Sequence, residues 1–278
     1  MKKNINSLPP DNSYKLSVML WPFLPNLPFI ERIKQIVAAG IHSVQLTREY
    51  ENWSEDDFLF YRQKLNELGV SIDSITCDMV KSGTPKISCL DITQRAIFLK
   101  DIQQKIKIMK RLDCSNLIIV VGDSIANYSK DEQYVTCLEN LKLVLKIIEP
   151  LGFNLLIEHI NCEQNPDSFF WSVPETVKMI EEIDNPQIKL LFDVYHAQLS
   201  GGNLINNLER YIKYIGLIHL ADVPGRHQPG TGEINFQNLY KKISELNYSG
   251  YIAMEFMPTT DHIEALQKVQ QELLNHTQ

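Results

Sequence analysis

Ile188-Lys-Leu-Leu-Phe192 runs into Asp193-Val-Tyr-His196, Ile215-Gly-Leu-Ile218 into His219-Leu-Ala-Asp222, and Tyr251-Ile-Ala-Met254 into Glu255. Upstream, Asn154-Leu-Leu-Ile157 ends the same way, on Glu158. Each is a short apolar run of strand type that stops on a carboxylate or an imidazole. A buried strand that ends so loses hydration at that point, a cost tolerated when the group is paired, hydrogen-bonded or bound to a metal. One such ending is ordinary, whereas four in the second half of one chain call for a shared explanation.

Working outward, the apolar runs place strands at 15–20, 43–46, 70–76, 116–121, 155–158, 188–193, 215–220 and 251–255. Between them, helical spacing predicts helices over 28–39, 54–68, 92–112, 131–148, from Pro174, and over 203–214, 236–246 and 261–274. Ser54 suits the N-cap of the second helix, ahead of acidic residues, and Pro174 the first turn of the fifth. Eight strands alternate with eight helices. Continuous apolar runs suit strands of a parallel sheet buried on both faces. The expected fold is therefore α/β, a single (β/α)8 TIM barrel over 14–278, preceded by a loose polar arm at 1–13 that carries Pro9-Pro10. An open doubly wound sheet is the alternative, but no G-x-G-x-x-G follows an early strand. Barrels keep their active sites at the C-terminal ends of the strands, where these polar endings stand.

Composition narrows the function. A chain of 278 residues with 44% apolar content can bury a large core, and its net charge of −7 argues against a nucleic-acid surface. Cys77, Cys89, Cys114, Cys137 and Cys162 are odd in number without a C-x-x-C pair, which fits free thiols in a reducing compartment. Pro22, Pro25 and Pro28 break the stretch that follows the N-terminal lysines, so it is not read as a signal peptide. No run is long enough to span a bilayer, and the expectation is a cytoplasmic protein without a membrane partner.

Glu158, Asp193, His219 and Glu255 belong to strands five to eight, neighbours around a closed barrel, so their side chains can converge. Three carboxylates and one imidazole form an oxygen and nitrogen ligand set natural for one Mg²⁺ or Mn²⁺, with Zn²⁺ or Co²⁺ compatible. The bland reading is strand-end polar groups bonding neighbouring backbone. His196, in the loop just past strand six, lies within reach of a ligand on the metal. Arg226, in the long loop after strand seven, is a cation able to clamp a carboxylate or hydroxyls. Trp21, Tyr195 and Trp171 could line a substrate pocket but read more simply as packing, and Arg48, Asp78 and Asp123 as loop charges that could face the pocket.

The segments Phe192-Asp-Val-Tyr-His-Ala-Gln198, Gly201-Gly-Asn-Leu204, Ile218-His-Leu-Ala-Asp-Val-Pro-Gly-Arg226, Gly232-Glu-Ile-Asn235 and Met254-Glu-Phe256, with Ile157-Glu158 ahead of them, resemble the xylose isomerase-like barrel superfamily. Within it they are most similar to hydroxypyruvate isomerases, over roughly residues 150–258. The resemblance implies that Glu158 and Glu255 bind the ion and act as the acid/base pair, that Asp193 and His219 complete the coordination, and that His196 and Arg226 contact substrate. The implied reaction is isomerisation of a small hydroxy-carbonyl compound or sugar through an enediolate, and homo-oligomers are common among such proteins. Two positions depart. Hydroxypyruvate isomerases often carry glutamine where this chain has His219, which the ketose 3-epimerases share, and Glu-Tyr-Lys-Pro where it reads Glu255-Phe-Met-Pro258. Ketose 3-epimerisation is therefore the alternative. Metal-dependent cleavage at abasic DNA sites and a non-catalytic binding barrel are opposed by the acidic balance and the paired glutamates.

Overall fold

Short apolar runs bounded by turn residues become the strands β1 Lys15–Met19, β2 Ser43–Leu46, β3 Ser71–Cys77, β4 Asn116–Val120, β5 Asn154–Glu158, β6 Ile188–Asp193, β7 Ile215–Leu220 and β8 Tyr251–Met254. All pair in parallel and in sequence order, and β1 closes onto β8, so the expected barrel is the observed one. This computed structural model describes residues 14–77 and 87–276, leaving the arm at 1–13 and Asp78 outside the described residues.

The helices among the described residues are α1 Phe29–Ala38, α2 Glu55–Glu67, α3 Arg95–Leu112, α4 Lys130–Ile148, α5 Val173–Ile183, α6 Val194–Leu199, α7 Leu204–Tyr211, α8 Phe236–Glu245 and α9 His262–Leu274. Their starts follow local chemistry. Ser54 and Asp57 form a capping box on α2, Ser129 and Glu132 one on α4, and Pro174 sits in the first turn of α5. Two expectations need correction. The helix expected from Ile92 begins with a 3-10 turn over Ile92–Gln94 capped by Asp91, and its buried face starts at Phe98, continuing through Ile102, Ile106 and Met109. The segment after β6 is no loop. Asp193 caps a short extra helix, α6, by accepting from the His196 backbone N–H at 3.1 Å.

Side-chain alternation along the strands separates two cores. Ile157, Phe192, Ile218 and Met254 point outward into the large core between barrel and helices. Met19, Ile118, Leu156, Leu191, Leu217 and Ala253 pack together inside the barrel. One strand period further on, two residues beyond Leu156, Leu191, Leu217 and Ala253, stand Glu158, Asp193, His219 and Glu255. The apolar plug thus floors a polar layer. On the β1–β3 side the interior is itself polar, with Ser17, Ser43, Gln45 and Asp73 all buried. Asp73 is turned in by a register shift, because Val44 pairs with Ile72 but Gln45 with Ser74, which leaves Asp73 unmatched in the ladder.

Candidate active site

Period-two alternation and the shared tilt of four adjacent strands bring the ligand-type atoms of Glu158, Asp193, His219 and Glu255 within 4.8 Å of one another, all on buried residues. His219 Nδ1 lies 2.6 Å from Glu255 Oε2 and 3.9 Å from Glu158 Oε1, so the imidazole sits between the two glutamates. Neither His219 Nδ1 nor Glu255 Oε2 makes a well-formed hydrogen bond, although both are buried. Buried lone-pair atoms without a well-formed hydrogen bond, gathered this closely with other ligand-type atoms, are what a cation would satisfy.

Charge balance points the same way. Three carboxylates face Arg226, whose Nη2 is 2.9 Å from Asp193 Oδ2 and 2.6 Å from Glu255 Oε2. Burial pushes Glu158 up to about 8, with Glu255 adding to it. Burial alone would raise Glu255 too, but Arg226 and His219 overcome it and hold that carboxyl well below the usual range. His219 would be lowered by burial, yet Glu255, Glu158 and Asp193 lift it to about 9. Without a cation the side chains must therefore retain protons to balance their charge. A divalent ion bound by Glu158, Asp193, His219 Nδ1 and Glu255 fits both the donor set and the charge deficit.

The surrounding residues fix these groups. His196 is buried, with Nε2 3.6 Å from Asp193 Oδ2. Its Nδ1 meets the Asn161 backbone N–H at 3.3 Å and the Asn161 side-chain amide at 2.7 Å. Nδ1 therefore accepts, and in the neutral ring Nε2 carries the proton toward the site. Burial lowers the pKa of His196, which favours that neutral form. Arg226 stacks over the Tyr195 ring at 5.3 Å, and its loop is held by Asp222. The Asp222 carboxylate accepts from five backbone N–H groups, those of Val223, Gly230, Thr231, Gly232 and Ile234, at 2.8–3.2 Å. Only glycine fits at 232, where a Cβ would run into the Val223 carbonyl.

Two cavities adjoin residues that contact the cluster. One of about 510 Å³ lies toward β3–β6 and includes Thr76, Val120, Asp123, Gln164, His196 and Arg226 in its wall. Another of about 480 Å³ includes Trp21, Arg32 and Arg48, and both touch Thr47. Each is of the size that holds a small molecule.

The family model for the xylose isomerase-like TIM barrel matches residues 33–274. The chain belongs to that family. It is 28% identical to the 2-oxo-tetronate isomerase of Pectobacterium atrosepticum, covering 88% of this chain and 92% of that one. It is 26% identical to the hydroxypyruvate isomerase of Escherichia coli, covering 84% and 89% respectively. A solved structure described as a family 2 AP endonuclease from Brucella melitensis superposes with a TM-score of 0.84 at 21% identity, covering 93% of this chain and 99% of that one, which shows the fold alone. These relatives are named isomerases, and this xylose isomerase-like barrel is likewise an enzyme.

Within the barrel the structure brings Glu158, Asp193, His219, Glu255, His196 and Arg226 into one site. Trp21, taken as packing from sequence, is a correction: its indole N–H donates to Glu255 Oε1 at 3.1 Å while the ring stays 41% exposed beside a cavity. Gln45, Asp73, Asn161 and Asp222 carried no sequence signal as site residues. Only the run of glycines around Asp222, at Gly225, Gly230 and Gly232, hinted that backbone closes on something there.

Proposed function

We propose that the chain is a divalent-metal-dependent aldose–ketose isomerase acting on a small hydroxy-carbonyl acid of the hydroxypyruvate or 2-oxo-tetronate kind. The observation that carries this reading is the pair Glu158 and Glu255, at the ends of separate strands, flanking His219 at 3.9 and 2.6 Å in a buried polar layer, with a cavity lined by the neighbouring His196 and Arg226. The names of the relatives, over most of both chains, support the substrate class.

One glutamate takes the proton from the carbon that bears the hydroxyl, and the electron pair flows to the carbonyl oxygen. The other returns a proton to the former carbonyl carbon, while the hydroxyl proton passes to the oxygen that has become an alcohol. Positioned acid and base groups of this kind contribute about 10²–10⁴-fold. His196 offers its Nε2–H to the oxygen on which charge develops, and Arg226 suits the substrate carboxylate, as planar bidentate donors do. A divalent ion held by Glu158, Asp193, His219 and Glu255 would polarise the carbonyl as a Lewis acid.

The test is proton exchange. Metal-reconstituted protein is incubated with hydroxypyruvate, 2-oxo-tetronate and a panel of ketoses in D₂O and followed by NMR. Deuterium entering beside the carbonyl, abolished by a chelator, is the expected result. A product altered at a single stereocentre would instead make the enzyme an epimerase. No exchange with metal demonstrably bound would sink both.

A further inference from the structure

His219 is held from behind by a chain of buried groups that crosses the barrel to the opposite strands. Its Nε2 lies 2.8 Å from Gln45 Oε1 on β2. Gln45 Nε2 donates to Asp73 Oδ1 on β3 at 2.8 Å. The other Asp73 oxygen accepts from Ser17 Oγ and, at 3.2 Å, from Ser43 Oγ. Every member is buried, Gln45 and Ser17 completely, so water cannot substitute for a missing partner.

This chain of bonds has only one consistent direction. An ionised carboxylate is acceptor-only, so the Gln45 amide must turn its NH₂ toward Asp73. Its carbonyl oxygen then faces His219 and can only accept, so the His219 proton sits on Nε2. In the neutral ring that leaves the lone pair on Nδ1, the atom that points between Glu158 and Glu255 and lacks a hydrogen-bond partner. The register shift that turns Asp73 inward supplies the anchor at the far end.

The structure assigns Gln45 and Asp73 as positioning residues that fix His219 in the tautomer able to bind a cation through Nδ1. This rests on the metal-dependent reading above. A metal-bound imidazole depends on the acceptor for its other N–H, and loss of such an acceptor weakens metal binding about 10–100-fold.

Mn²⁺ binding to the full chain, counted by electron paramagnetic resonance of the free ion, tests the assignment together with ¹⁵N NMR of the Zn²⁺-loaded protein. Gln45→Met keeps roughly the side-chain volume and removes the acceptor. It should bind Mn²⁺ about 10–100-fold more weakly and lose the slowly exchanging His219 Nε2–H signal. The double variant Gln45→Glu with Asp73→Asn reverses the middle bond but keeps an acceptor facing Nε2. It should recover most of the affinity, which a purely structural role for the buried network does not predict, and it serves as the deciding variant if Gln45→Met fails to fold. Mn²⁺ affinity in folded Gln45→Met within twofold of wild type, or no recovery in the double variant, would overturn the assignment. Wild-type protein that binds neither ion would remove the metal reading itself, a distinct failure.

Discussion

A glutamine in place of Glu158 or Glu255 keeps the shape of the side chain and removes its capacity to accept and return a proton. Each single variant should lose about 10²–10⁴-fold in kcat while its far-ultraviolet circular dichroism stays that of the folded barrel. Isomerase activity within threefold of wild type in both variants would end the acid/base assignment. Asp73 carries a different prediction. Burial pushes its carboxyl up to about 6 from an ordinary 3.8, against hydrogen bonds from Ser17 and Gln45 that pull it down. A raised folded pKa stabilises the fold below 3.8, and that contribution is lost as pH rises through 6. Asp73→Asn, neutral throughout, should therefore gain stability relative to wild type between pH 4 and 7, by roughly 3 kcal/mol at most. Urea midpoints of the two proteins at both ends of that range measure it, and a difference that does not change with pH would refute it. At this scale the sequence announces the strand-end carboxylates, because an apolar run interrupted by a charge is conspicuous. It hides Gln45 and Asp73, because a polar residue inside a strand of alternating pattern looks like one facing solvent.

Among the elements, the segment after β7 has the most at stake. Five backbone N–H groups converge on the Asp222 carboxylate, which organises the loop that carries Arg226. Asp222→Ala would leave those donors without their acceptor, at about 1–3 kcal/mol for each one that stays buried. The expected result is a thermal midpoint lower by several degrees and a kcat/KM lower than the stability loss explains, measured well below the midpoint. Unchanged kcat/KM would mean that the loop positions Arg226 without Asp222. The helix α6 shows how far local signals reach. Asp193 reads as a strand ending, yet it is also an N-cap, and Ser129 with Glu132 forms a capping box on α4. Six residues of helix carry too little periodicity to be told from a loop.

For the molecule as a whole, a cation that binds the folded barrel and not the unfolded chain raises stability by mass action. At a free Mn²⁺ concentration about 100 times its Kd the gain is about 3 kcal/mol, or roughly 5 °C in Tm for a domain of this order of size. Differential scanning calorimetry with added Mn²⁺ and then with excess chelator should show the shift and its reversal. A Tm indifferent to both would argue that Arg226 and retained protons alone balance the three carboxylates. None of the described helices is long and apolar enough to cross a membrane.

The barrel was written locally, in eight apolar runs whose lengths and turn residues leave few other ways to bury them. So was the buried acidic and histidine cluster, because on each of four strands the polar group follows the inward apolar residue by one strand period, as Glu158 follows Leu156 and His219 follows Leu217. Those relations span a few residues, and alternation carries them without knowledge of the fold. What faces His219 from across the barrel belongs to the closed sheet alone. Gln45 stands 174 residues away in sequence, and Trp21 meets Glu255 across 234. Such contacts exist only once β1 has closed onto β8, and no periodicity in the chain encodes them.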